Sequence, residues 1–381
     1  VIYLDAAATT PVRQDVLDTI IPLLTHDYGN PSSTHEMGQT AARALDYARE
    51  TAAGVLGVRT GDIVFTSGGT ESNNLAIKGL ALGAPRGRHL IRSAIEHPSV
   101  AEACAYLVRH HGFELDIAPV DAHGRVQLAA FTALLRNDTT LVSVMAVNNE
   151  VGTIEPIAEL AAAAHAVGAL VHVDGVQAAG WLHMGRIAAH ADALSISGHK
   201  IGGLKGAGLL MVRGKLALEP LIHGGGQERE RRSGTENVAG AVSTATALSL
   251  AARANTEAAA QSYGDYIISA VLKGLNTDGR VRARLTGDPV HRVPGIVSFV
   301  FPETGGETVL LELERRGVIC SSGSACSAGS TDPSPVLIGM GYSEQEAHTA
   351  VRLSFTRKVK ESEVATAARA VVAAVKAIAG N

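Results

Sequence analysis

The chain has 381 residues, 46% of them hydrophobic and 18% charged, with a net charge of −4. That length suggests two domains with sizeable cores. The near-neutral charge excludes a broad basic face for nucleic acid, and three cysteines exclude a disulfide-built scaffold and suit a reducing cytosol.

The densest basic cluster, Arg229, Arg231 and Arg232, is interrupted by Glu228 and Glu230 and reads as a solvated or anion-binding loop. Residues 1–10 lack the basic and apolar regions of a signal peptide. The longest uncharged stretch, residues 238–252, is too short to span a bilayer. These features predict a soluble cytoplasmic protein with no membrane partner and no direct nucleic-acid partner.

In chain order, apolar runs predict strands at 63–66, 89–93, 113–119, 141–147, 169–173, 193–197 and 209–212. Helical patterns fall between most of them, as at 71–82, 99–110 and 157–167. Strand–helix alternation predicts an α/β fold around a mostly parallel sheet. Beyond Arg253 the pattern changes. Short strands near 281–285, 295–301 and 351–355, with helices near 307–315 and 362–378, predict a smaller C-terminal α+β domain. The boundary is expected near 250–260.

In open parallel sheets, ligands bind beyond the carboxyl ends of the strands. Five segments there carry chemistry. The loop Thr66-Ser67-Gly68-Gly69-Thr70-Glu71-Ser72 lies between a strand and a helix. Its glycines let backbone N–H groups approach an anion, and Ser67 and Thr70 add hydroxyls, although Thr70 also suits a plain helix cap. It is not a Walker A loop. Asp174, in His172-Val173-Asp174-Gly175-Val176-Gln177, ends a β-branched strand, where a carboxylate either faces a bound heterocycle or caps the next helix. Lys200, in Ser195-Ile196-Ser197-Gly198-His199-Lys200, ends a strand in a Gly-rich setting, as a Schiff-base amine or a surface lysine. A phosphate cradle, an acid for a pyridinium nitrogen and a Schiff-base lysine together match pyridoxal phosphate. His97, in Glu96-His97-Pro98, either stacks on such a ring and shuttles protons or merely starts a helix.

The fifth segment is the small-residue loop Ser321-Ser322-Gly323-Ser324-Ala325-Cys326-Ser327-Ala328-Gly329. A thiol in such a loop is poorly buried and suits a nucleophile better than a spectator. Cys320 reads as a strand-end packing residue and Cys104 as helical core.

These residues resemble the cysteine desulfurases of the NifS/IscS type, within the fold-type I, class-V aminotransferase group. The likeness runs from Tyr3-Leu4-Asp5-Ala6-Ala7-Ala8-Thr9-Thr10-Pro11 to the last helix. Its landmarks include Gly29-Asn30-Pro31-Ser32, Val147-Asn148-Asn149-Glu150-Val151-Gly152, His223 to Arg229 and Arg232-Ser233-Gly234-Thr235. The Cys326 loop matches the longer-loop branch.

The resemblance implies a fold-type I transferase with a large domain of residues 13–255. Residues 1–12 and 256–381 would form the small domain that carries the Cys326 loop. It implies Lys200 as the Schiff-base lysine, Asp174 on the pyridine nitrogen, Gln177 on the phenolic oxygen and His97 stacked on the ring. Gly69, Thr70, Ser197 and His199 would cradle the phosphate. Thr235 would reach the phosphate of a neighbouring subunit in a homodimer. Asn149 would touch the cofactor and, with Arg352, the substrate carboxylate, to which a guanidinium fork is suited. L-cysteine would become L-alanine, leaving a persulfide on Cys326 for sulfur-acceptor or scaffold proteins. No metal is implied. The destination would be iron–sulfur cluster assembly, transfer RNA thiolation or DNA phosphorothioation. A selenocysteine lyase, another class-V aminotransferase and a sulfur-relay scaffold without turnover are the alternatives. The cysteine loop disfavours an aminotransferase, and the full set of Lys200, Asp174, His97 and Cys326 disfavours a scaffold. Leu204, where Pro is common, and Glu230, where Gly is common, depart from the family pattern.

Overall fold

The computed structural model describes residues 1–83, 85–214, 216–254, 257–277, 281–302, 304–322 and 332–379. Among these, seven strands form the main sheet. They are β1 (Ile63–Thr66), β2 (His89–Ser93), β3 (Glu114–Ala118), β4 (Thr139–Met145), β5 (Leu170–Asp174), β6 (Ala193–Ser197) and β7 (Gly208–Val212). Their spatial order is β1-β7-β6-β5-β4-β2-β3. β7 alone runs opposite to the other six strands.

The central strands β4, β6 and β7 are buried along their whole length. Their near-continuous apolar runs suit a sheet covered on both faces. One face is covered by helices Gly69–Gly83 and Pro98–His111, through Leu75, Ile77, Leu80, Val100 and Leu107. On the other, helices Glu36–Leu56 and Val238–Arg253 meet through small residues such as Ala48, Ala52, Ala241 and Ala245. This close approach is what the alanine-rich composition permits.

A second core surrounds the sheet of Arg284–Thr286, Ile296–Val300 and Ala350–Ser354, packed by helices Gly306–Arg315 and Glu361–Ala379. The N-terminal strand Ile2–Tyr3 pairs in parallel with Val318–Ile319, and Leu4 joins this second core. The predicted strand at 281–285 is a correction. Val281 and Ala283 are buried, but the ladder covers only Arg284–Thr286. Asn276 takes the earlier backbone groups: its Nδ2 donates to the Ala283 carbonyl at 3.0 Å, and its Oδ1 accepts from the Ala283 N–H at 2.8 Å.

A buried ion pair ties helix Glu36–Leu56 to β1. Arg49 donates twice to Glu228, at 2.8 and 2.9 Å, and again to the Ile63 carbonyl at 2.7 Å. Glu228 also accepts from the Phe65 N–H at 3.0 Å. Removing one member of such a pair strands the other charge out of water. Arg49→Met is expected to cost about 3–5 kcal/mol in urea unfolding. Adding Glu228→Gln to Arg49→Met should recover much of that loss.

Candidate active site

The switch in strand order lies between β4 and β2, the position where open α/β sheets form crevices. Asp174 is the last residue of β5, opposite Met145 of β4 and Ser195 of β6. The main chain presents its carboxylate rigidly: Oδ1 accepts from the Val176 N–H at 3.0 Å. Oδ2 accepts from Asn73 Nδ2 at 2.7 Å. Asp174 is only 5% exposed.

His97 follows β2 and is the N-cap of helix Pro98–His111, with Pro98 in the first turn. Its ring therefore both starts a helix and faces the site. Burial holds its pKa below the usual histidine value; Asp174 opposes the shift and Lys200 adds to it. Lys200 ends a single helical turn, 198–200, directly after β6. Its Nζ donates to the carbonyls of Ala7 and Ala8, the latter at 2.9 Å. Gln177 Nε2 donates to the same Ala7 carbonyl at 2.9 Å. The N-terminal segment thus forms one wall of the site. His199 Nδ1 meets Thr9 Oγ1 at 3.0 Å, and burial pushes its pKa down to about 4, so it is neutral.

The glycine loop approaches the end of β6 closely. A Cβ on Gly69 would lie 2.8 Å from Val176 Cγ2 and 3.5 Å from Ser197 Cβ. Gly69 opens helix Gly69–Gly83, and Thr70 in its first turn is exposed. This places helix N-terminal N–H groups beside the Ser197 strand end, a cradle suited to phosphate. Thr235 is also exposed and lines a cleft with Ser67, Thr66 and Arg232 of its own chain.

Asn149 and Arg352 are brought together across 203 positions, with Arg352 Nη1 donating to the Asn149 carbonyl at 2.9 Å. Arg352 Nη2 donates to Asp5 Oδ1 at 2.9 Å, and its side chain is 1% exposed. The guanidinium is thus oriented by Asp5, a contact the sequence reading missed. Cys326 lies outside the described residues. Cys104 and Cys320 are packed as expected, and burial pushes both thiols up to about 12.

Residues 2–366 match the family profile described as Aminotransferase class-V. The chain belongs to the class-V aminotransferase family. It is 41% identical over 366 residues to cysteine desulfurase IscS of Methanosarcina thermophila, covering 95% of this chain and 89% of that one. A solved NifS-like protein superposes with a TM-score of 0.88 at 36% identity, covering 98% of each chain. SspA in complex with cysteine superposes with a TM-score of 0.81 at 34% identity, covering 93% of this chain and 99% of that one. The fold is that of the NifS-like, fold-type I enzymes of this family.

Two departures from the family pattern have physical counterparts. The Leu204 N–H donates to Ser243 Oγ at 2.8 Å, a bond that proline lacks. Glu228, Arg229 and Glu230 have φ values of 48°, 58° and 65°, a left-handed run that favours glycine. Glu230→Gly is therefore expected to stabilise the fold by about 0.5–1 kcal/mol in denaturant titration.

Glu96 is a further group whose role the sequence left open. Burial pushes its carboxyl up to about 8, although Ser93 Oγ and the Met145 N–H both donate to it. It is mostly protonated at neutral pH, so it adds little negative charge beside Asp174. A carboxyl whose folded pKa is raised costs stability as pH rises from its unfolded value to its folded one. Wild-type stability should fall relative to Glu96→Gln between about pH 4.5 and 8 and level off above that range. Urea midpoints across that range measure the difference.

Proposed function

We propose that this family member is a pyridoxal-phosphate-dependent cysteine desulfurase, converting L-cysteine to L-alanine and leaving a persulfide on Cys326. The observation that carries the reading is the meeting of Asp174, His97 and Lys200 beyond the carboxyl ends of β5, β2 and β6, beside a glycine-bounded helix N-terminus. The names of the relatives and the cysteine complex of SspA support the same substrate.

The residues fit the cofactor chemically. Asp174 holds a fixed carboxylate for a pyridine nitrogen, and Lys200 supplies the amine. Ser197, Thr70, His199 and the N–H groups at Gly69 suit a phosphate, and Gln177 suits a phenolic oxygen. When bound, pyridoxal phosphate supplies a carbonyl for the substrate amine and a sink for carbanion electrons. The protein's own groups do the rest. Arg352, oriented by Asp5, and Asn149 bind the cysteine carboxylate. Lys200 moves the proton of the substrate α-carbon.

The thiolate of Cys326 attacks the substrate sulfur. The carbon–sulfur bond breaks, its electron pair stays with the carbon, and that carbon takes a proton to become the methyl group of alanine. One cysteine and one thiol give one alanine and one persulfide, with no outside oxidant. The resemblance and the small-residue loop assign this role to Cys326; burial raises the thiols of Cys104 and Cys320 to about 12, which suits them poorly for attack.

The reading carries its further parts with it. The protein works in the cytoplasm as a homodimer, with Thr235 serving the neighbouring subunit's phosphate. Its large domain is residues 13–255, and its small domain is residues 1–12 with 256–381. Acceptor or scaffold proteins take the sulfur toward iron–sulfur clusters or thio-modified nucleic acid. Among the described residues, no helix is long and apolar enough to cross a membrane.

Single-turnover reaction with L-cysteine tests the proposal. The wild type should give one alanine per site and a sulfur adduct on Cys326 by mass spectrometry. Lys200→Ala should lose the yellow colour and the alanine. Cys326→Ser should lose the adduct and at least about a hundredfold in rate, the scale expected for a lost nucleophile. Alanine released at the wild-type rate by Cys326→Ser would favour a lyase that does not use this thiol. No alanine from the wild type would favour an aminotransferase.

A further inference from the structure

A continuous buried network joins the two groups expected at the edge and the face of the cofactor ring. Asn73 Nδ2 carries two hydrogens. One goes to Asp174 Oδ2 at 2.7 Å and the other to Ser99 Oγ at 2.9 Å. The Ser99 hydroxyl therefore receives a hydrogen from Asn73 and has its own to give. It lies 2.8 Å from His97 Nδ1. The Ser99 backbone N–H points at the same nitrogen, at 3.1 Å.

The direction of every bond follows from the donors. A backbone N–H only donates, so His97 Nδ1 must be an acceptor. The amide of Asn73 cannot turn over, because that would set its oxygen against the Asp174 carboxylate. Asn73, Ser99 and Asp174 are 1%, 8% and 5% exposed, so water does not compete.

We propose that Asn73 and Ser99 are positioning residues that hold His97 in the form bearing its proton on Nε2. They make the ring a hydrogen-bond donor toward the substrate rather than a base. With Nδ1 capped by two donors and Nε2 already carrying hydrogen, the neutral ring has no lone pair to offer the site. Protonating it would set an Nδ1 hydrogen against the Ser99 N–H. Burial also disfavours the charged ring, as does Lys200, while Asp174 favours it. The same amide that orients His97 also orients the Asp174 carboxylate, so the ring-facing and nitrogen-facing groups keep a fixed relation. The catalytic meaning of this arrangement rests on the desulfurase reading; the position of the proton does not.

The test is nitrogen NMR of histidine-labelled holoenzyme, with the His97 signals assigned by their loss in His97→Gln. Near pH 7, Nε2 should be protonated and Nδ1 bare, as for a neutral imidazole. Ser99→Ala removes one of the two donors on Nδ1 and should ease protonation of His97 about threefold to tenfold. The kcat/KM for cysteine should fall by a similar factor with KM little changed, and Ser99→Thr should restore both. A proton on Nδ1 of the wild type overturns the proposal, and that spectrum requires no variant to fold. So does an unchanged His97 titration in Ser99→Ala. The expected spectrum with no alanine from the wild type would uphold the hydrogen-bond assignment and sink the desulfurase reading instead.

Discussion

The site is organised around one buried carboxylate, Asp174, fixed at the end of β5. Its two oxygens accept from the Val176 main chain and from Asn73, so it cannot rotate toward solvent. A buried carboxylate is costly unless hydrogen bonds satisfy it. Here the bonds come from a strand-end turn and from a helix packed on the sheet, which makes the position of the charge a property of the whole core. The second acid nearby, Glu96, answers the same burial by staying mostly protonated, at the stability cost that its raised pKa carries. Glu96 is thus largely uncharged, and burial is the chief cause, since its hydrogen bonds from Ser93 and Met145 act the other way.

From that fixed point the other groups are placed by topology. β2, β4, β5 and β6 run parallel, so their carboxyl ends open on one edge of the sheet. His97, Asn149, Asp174 and Lys200 follow these ends over a span of about a hundred positions. The N-terminal segment then closes over them, through Ala7 and Ala8 to Lys200 and Gln177, and through Thr9 to His199. The same segment pairs with Val318–Ile319 and supplies Asp5 to Arg352. Residues from both ends of the chain thus meet at one site, joining the larger sheet to the second core.

The sequence by itself determined a good deal. Continuous apolar runs marked the inner strands of the main sheet because both faces are buried there, and the ends of those runs marked the polar residues worth attention. The family motifs suggested roles for Lys200, Asp174 and His97, and their spacing is compatible with the strand ends near which they lie.

Other features belonged to tertiary structure alone. The Asn73–Ser99 link joins Asp174 to His97 through an Asn73 that lies 101 positions from Asp174, and no local pattern encodes it. The Asp5 contact to Arg352 spans nearly the whole chain. The strand expected at 281–285 was cut short by one asparagine side chain, because a buried backbone group takes whichever partner the fold supplies. Periodicity reports which face of an element is buried. It does not report which polar group lies opposite, and in a buried site that pairing decides the charge and orientation of each residue.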